Sequence, residues 1–142
     1  MVNKASDTDV VLTGLEAGAS YTGGGKKMEA TLWVCGRGAC QGNEAEEGAW
    51  RAVWTGDLMY SKTTQVPLGE GVVVKAGTAL GCLLHSREDG IRYSEPRKGA
   101  EDSVLKVEPW SWTLSDDPFG PNKGSRVTFT PAGAIHYFLL AK

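Results

Sequence analysis

The sequence predicts an all-β fold, an antiparallel two-sheet sandwich with jelly-roll or Greek-key connections, on three observations. Nineteen glycines and six prolines are spread along the whole chain, so they punctuate many short elements instead of marking one linker. Short segments rich in β-branched and aromatic residues recur at nearly regular spacing with turn signals between them. No segment keeps the three-and-four spacing of an amphipathic helix for three turns, and sheets without helices must cover one another.

The predicted strands run, in order, over Val10–Leu15, Met28–Cys35, Ala49–Trp54, Thr63–Leu68, Val72–Lys75, Ala79–His85, Ile91–Ser94, Ser103–Glu108, Arg126–Thr130 and Ile135–Leu140. In Met28–Cys35 the period of two puts Met28, Ala30, Leu32 and Val34 on one face and Glu29, Thr31 and Trp33 on the other. In Arg126–Thr130, Val127 and Phe129 point inward while Arg126, Thr128 and Thr130 face solvent. Leu80–Leu84 and Tyr137–Leu140 show little alternation and read as central strands covered on both faces. Gly69-Glu70-Gly71, between two predicted strands, and Ala76-Gly77 supply residues able to take positive φ at turns. The polar stretch Asn43–Gly48 allows one helical turn at most. Long loops fall at 36–48, 95–102 and 115–125.

With 142 residues the chain is expected to form a single domain over 1–142, long enough to hold a core without metals or cross-links. Hydrophobic residues at 41% and charged residues at 23% are ordinary for a folded protein, which argues against wholesale disorder. Fifteen basic against seventeen acidic side chains give a formal charge of −2, no field with which to attract phosphate backbones, so nucleic acid is not the expected partner. The apolar runs fall far short of the roughly 20 residues of a membrane-spanning helix. The opening MVNKASDTD lacks the apolar stretch of a secretory signal. Three cysteines, Cys35, Cys40 and Cys82, cannot all pair within one chain and mildly favour a reducing compartment. Cys35 and Cys40 could close a small loop if oxidised, whereas Cys82 reads as a small buried hydrophobe.

From residue 63 onward the order of features becomes specific: TTQVPLGEGVVVKAGTALGCLLH, then GIRYSEPRKG, then a strand, and finally RVTFTPAGAIHYFLL. This order resembles the PHR-type β-sandwich modules of large ubiquitin ligases and BTB adaptor proteins, over roughly Gly24 to Leu140. A closer resemblance is to small sandwich repeats in predicted secreted or surface proteins of algae and other protists. It is carried by DVVLTGLEAG, EATLWVC, GAWRAVW with its Ala49-Trp50, GIRYS with its Arg92-Tyr93, EDSVLKV, DDPFG and GAIHYFLL. The chain departs from that pattern at Arg97–Asp102 and at Pro109-Trp110-Ser111-Trp112. What these resemblances imply is a fold and not a reaction.

Candidate sites follow from residue chemistry. Five tryptophans, Trp33, Trp50, Trp54, Trp110 and Trp112, are more than one core needs. Trp110 and Trp112 lie two apart, so an extended segment sets both rings on one face. If exposed they form a platform for sugars or a protein interface; otherwise they cover an open end of the sandwich. Trp50 shares in the second resemblance and stands with the binding candidates. Arg92 and Tyr93 form a polar rim that anchors a partner or, more simply, a surface salt bridge and a core tyrosine. Asp116, Asp117 and Asn122 concentrate oxygen donors, yet fall short of the six to eight that calcium takes; such a loop usually caps its own backbone.

His85 and His136 belong to no metal-binding spacing. Ser86, Ser94, His85 and Asp89 could serve a hydrolase only if the fold joined them, and no G-x-S-x-G elbow is present. Glycines 23 to 25 before Lys26 and Lys27 lack the second half of a P-loop. The expectation is therefore a non-enzymatic module without a cofactor, contacting a protein or glycan through loops and exposed aromatics. Self-association through an edge strand is a variant. The alternatives are a structural subunit of a larger assembly and, third, a small hydrolase or metal-dependent enzyme.

Overall fold

The protein is described from a computed structural model, which covers residues 1–19, 26–39, 41–60, 62–87, 91–92, 100–108, 117–119 and 133–140. Its strands are β1 (Val2–Asn3), β2 (Val10–Ala17), β3 (Lys27–Cys35), β4 (Trp50–Met59), β5 (Thr64–Val74), β6 (Cys82–His85), β7 (Ala100–Glu101), β8 (Leu105–Val107) and β9 (Ile135–Leu139). Among the described residues one 3-10 turn, Glu47–Ala49, overlaps the end of the polar stretch Asn43–Gly48 and takes in Ala49, where the sequence predicted a strand to begin. Among the described residues there is no α-helix, and no helix is long and apolar enough to cross a membrane. The chain is all-β, as expected, and its sheets are antiparallel.

Among the described residues the strands form three three-stranded sheets, ordered β1-β8-β7, β5-β2-β9 and β4-β3-β6. β3 follows its sequence pattern: Met28, Ala30, Leu32 and Val34 are all buried, because the alternation of the pleat aims them at one apolar layer. They join Val10, Leu12 and Ala17 of β2, Leu58 of β4, and Val66, Leu68, Val72 and Val74 of β5 in one cluster. Each valine, leucine or methionine side chain among them taken out of water contributes about 1.5–3 kcal/mol.

The glycine segment at 69–71 corrects the sequence reading. Gly69 and Gly71 do take positive φ, +54° and +87°, but the chain does not reverse there. Thr64–Val74 is one strand whose two halves pair with the same β2, Leu12 opposite Val72 and Gly14 opposite Pro67. Residues 68–71 bulge out against Thr13 alone, so the positive φ serves a bulge and not a hairpin. Gly77, also at positive φ, makes the expected turn: Thr78 N–H donates to Lys75 O.

A second correction concerns the dense apolar runs. β6 and β9 are the outer members of their sheets among the described residues, and in β9 and just after it Phe138, Leu139 and Leu140 are exposed. An unbroken apolar run is equally compatible with burial on both faces and with an apolar face left open; the second holds in β9, whereas β6 is half-buried throughout, with Cys82 and Leu84 against one apolar cluster and Leu83 against the other. Cys82 is only half-buried, and Cys35 is a buried free thiol. Val34 and Cys82 are paired, so Cys82 shares the inner face and Cys35 the outer one. Cys40 and the predicted strand Arg126–Thr130 lie outside the described residues.

The short N-terminal strand, which sequence patterning did not single out, is tied down by Asn3. This residue is fully buried, at 0% exposure. Its Nδ2 donates to Thr8 O at 2.9 Å and Val74 O at 3.0 Å, and its Oδ1 accepts from Ala5 N–H at 3.0 Å. All of the carboxamide's N–H groups and its oxygen are used, which removes the penalty of burying it. At the other side, Asp102 joins the β7–β8 turn to β9. Its Oδ1 accepts from Leu105 and Val104 N–H and its Oδ2 from the Tyr137 hydroxyl, each at 2.7 Å. These bonds, led by that from Leu105, hold the Asp102 carboxyl below its ordinary range, and the same contact raises Tyr137.

Candidate functional site

Among the described residues, the outward face of the β5-β2-β9 sheet carries the exposed large apolar side chains Val73, Phe138 and Leu140. Pairing sets Val73, Val11 and Phe138 in one row across the three strands. Val73 is 45% and Phe138 50% exposed, while Val11 between them is 6% exposed. Leu140, two residues beyond Phe138, is also exposed, and Leu139, opposite Val10 on the other side of β9, is 49% exposed. The backbone reason is the bulge: β5 returns to register with β2 at Val72, which turns Val72 and Val74 inward and Val73 out.

Beyond the bulge the same sheet turns polar. Glu16 Oε1 accepts from Gln65 Nε2 at 2.7 Å and lies 3.1 Å from His136 Nε2. The Gln65 bond first, and the His136 contact second, keep the Glu16 carboxyl below its usual range. Thr13 Oγ1 donates to His136 O at 3.2 Å. The face therefore grades from an aliphatic and aromatic end to a hydrogen-bonded, chargeable end.

The β4-β3-β6 sheet bears a different cluster on its outer side. Trp33, Leu83 and Phe119 pack against buried Cys35, Ala49 and Trp50. Phe119 meets Trp33 edge-on, with centroids 5.1 Å apart and planes at 81°, and meets Trp50 at 6.1 Å and 36°. Such mutually inclined rings fill space against one another and offer no flat stacking surface. Trp50 Nε1 donates to Asn43 O at 2.8 Å, whereas Trp33 Nε1 is buried and has no hydrogen-bond partner among the described residues.

Of the residues singled out from the sequence, Trp50 is buried and Arg92 is half-buried. Arg92 Nη2 donates to Ala19 O at 3.3 Å and its backbone N–H to Gly18 O at 2.8 Å, so it clasps the end of β2. Asp117 accepts from Phe119 N–H at 2.9 Å, the self-capping turn that an Asp-rich loop favours. Tyr93, Trp110, Trp112, Asp116 and Asn122 lie outside the described residues, as do Ser94, Asp89 and glycines 23 to 25. His85 sits opposite Thr31 on β3, and Ser86 Oγ donates to Glu29 O at 2.6 Å. Among the described residues no group of three or more His, Cys, Asp or Glu side chains is placed to hold a metal ion.

Sequence reasoning passed over Val73 and Phe138. The available signal was His136 at the head of the last strand: with a period of two it shares its face with Phe138 and Leu140, which marks that face as open. Comparison with protein-family models, curated proteins and solved structures gives no match.

Proposed function

We propose that this chain is a non-enzymatic recognition module, a two-sheet sandwich that takes a protein partner on the outward face of β5-β2-β9. The sandwich arrangement is supported by the shared apolar cluster, which draws on β2 and β5 from one sheet and β3 and β4 from another. The pairing is nested, β3 with β4 inside β2 with β5, the wrapping expected of a jelly roll.

The observation that carries the functional reading is the exposed file of Val73, Phe138 and Leu140 on one face of the sheet. Contiguous apolar surface on a folded chain marks a contact site. Here one ring stands among aliphatic side chains, a surface suited to a protein's apolar anchors and not to a sugar, which prefers flat aromatic stacking. The polar end, with Glu16, Gln65 and His136, supplies a rim for orientation. His136 and Glu16 are adjacent on this open face and not within a cleft, which suits them to a rim more than to acid–base chemistry.

The test compares the wild type with a Phe138→Ser, Val73→Thr double variant. A partner is isolated by capture, purified, and its affinity measured directly against both. The expected result is a loss of at least tenfold in affinity, about 1.4 kcal/mol, with an unchanged melting temperature, since both side chains are half in solvent. Equal affinity of the two proteins overturns the reading. Sedimentation showing a dimer that the double variant abolishes, with no other partner bound, overturns the protein-partner assignment in favour of a second copy.

A further inference from the structure

The outward face of β5-β2-β9 is acidic as well as apolar. None of its three strands carries a lysine or arginine, while β2 contributes Glu16 and β5 contributes Glu70. Glu16 is set opposite Gln65 and touches His136 on β9, which precedes Phe138 on the same face by two residues, a step of roughly 7 Å. Glu70 stands exposed on the bulge of β5. Its neighbour Gly71 is so close to Val11 that an added Cβ would lie 2.5 Å from Cγ1, so the bulge flanks the row of Val73, Val11 and Phe138.

No lysine or arginine among the described residues pairs with either carboxylate. Glu16 accepts from Gln65 at 2.7 Å and lies 3.1 Å from His136, both through Oε1, and the imidazole balances its charge only when protonated. Beyond the other end of the apolar file, Asp9 and Lys75 meet at 2.7 Å and cancel. The charges left over are those of Glu16 and Glu70, and they select among occupants. A second copy laid face to face would bury the same uncompensated charge twice over, and an anionic membrane would oppose phosphate to both carboxylates.

We infer, resting on the recognition reading above, that the occupant is a segment of another protein that carries a lysine or arginine close to an apolar anchor. The anchor packs on Val73, Phe138 and Leu140, and the cation meets the Glu16 carboxylate, whose Oε2 is the oxygen left to accept it. Glu70 adds to the field that draws a cationic segment in. A lysine or arginine forms charge-assisted bonds with a carboxylate and lays its methylene stem along apolar surface. Both properties are needed where the carboxylate and the apolar row lie side by side.

The probe is a phage-displayed library of random short peptides, selected on the full chain. Enriched sequences are expected to combine large apolar residues with lysine or arginine and to lose binding to the Phe138→Ser, Val73→Thr variant. A synthetic peptide of the leading sequence is then titrated by fluorescence anisotropy against wild type, Glu16→Gln and Glu70→Gln. Glu16→Gln keeps the size of the side chain and an oxygen for Gln65, and Glu70→Gln changes a side chain in open solvent, so neither threatens folding. At low salt Glu16→Gln is expected to weaken binding about threefold or more and Glu70→Gln by less, and added salt should weaken binding to either variant less than to wild type. Enriched peptides that bind the Phe138→Ser, Val73→Thr variant as tightly as wild type place recognition elsewhere and overturn both readings. Absence of any enriched sequence, face-dependent peptides with no excess of basic residues, or equal affinity for wild type, Glu16→Gln and Glu70→Gln overturns this inference alone.

Discussion

Replacing Asn3 tests whether a single buried side chain pins the N-terminal strand to the rest of the fold. Truncation in Asn3→Ala deletes three hydrogen bonds, from Nδ2 to Thr8 O and Val74 O and from Ala5 N–H to Oδ1. At a net worth of about 1 kcal/mol for each bond, and more where a partner is left buried and unpaired, the loss is about 2–4 kcal/mol. For a chain of this size that is a fall in melting temperature of roughly 6–12 °C. Asn3→Asp sharpens the test because it keeps the shape and reverses the chemistry. A carboxylate would face two carbonyl oxygens at the distances where the amide now donates, so at neutral pH this variant should be at least as unstable as the alanine.

Its deficit should shrink in acid. Burial against carbonyls raises the carboxyl pKa of Asn3→Asp in the folded state, so stability is greatest below the unfolded value of about 3.9 and declines as pH rises through the folded one. Urea denaturation followed by tryptophan fluorescence at two pH values gives all three numbers. Asn3→Ala within about 0.5 kcal/mol of wild type, the range of neutral surface substitutions, or Asn3→Asp as stable as wild type at neutral pH, would refute the bonding described.

Gly71→Ala is expected to cost about 2 kcal/mol or more, since it combines a φ of +87° with a Cβ placed 2.5 Å from Val11 Cγ1. Gly69→Ala, at positive φ with nothing near its Cβ, should cost about 1 kcal/mol; equal urea midpoints for the two would remove the clash from the account. The Asp102 carboxyl is held below its ordinary range in the folded state. Its contribution is thus fully present above the unfolded value of about 3.9 and is lost as pH falls through the folded one. Wild type should exceed Asp102→Asn in urea midpoint by less at pH ~3 than at pH ~6, and a difference constant with pH would discount the ionised carboxylate.

How much of this could be read from the chain depends on the range of the interactions involved. β3 was legible because its alternation is local: four apolar residues at a spacing of two can bury only one way. The positive φ of Gly69 and Gly71 was legible too, since glycine alone tolerates it cheaply, but whether the chain reverses or bulges there depends on Thr13 in a distant strand. Asn3 carries no pattern at all; it becomes a buried keystone only when Thr8 and Val74 close around it. Arg51 was hidden by the bulge at Val53. Simple alternation counted back from inward Trp54 puts Ala52 and Trp50 inside and Arg51 out, and one unpaired residue exchanges them.

The two bulges thus decide the chemistry of both surfaces. Because β5 loops out over residues 68–71 and then rejoins β2 at Val72, Val73 lands in the outward row with Val11 and Phe138, while Val72 and Val74 turn into the core. A one-residue slip would reverse every one of these faces, burying the apolar row and turning two core valines to solvent. The bulge in β4 acts in the same way on Arg51, bringing a cation to the edge of an apolar layer where uninterrupted pairing would have set an alanine. Irregularities that bend a ladder are therefore, in this protein, what decides which side chains of β4 and β5 enter the core and which meet solvent.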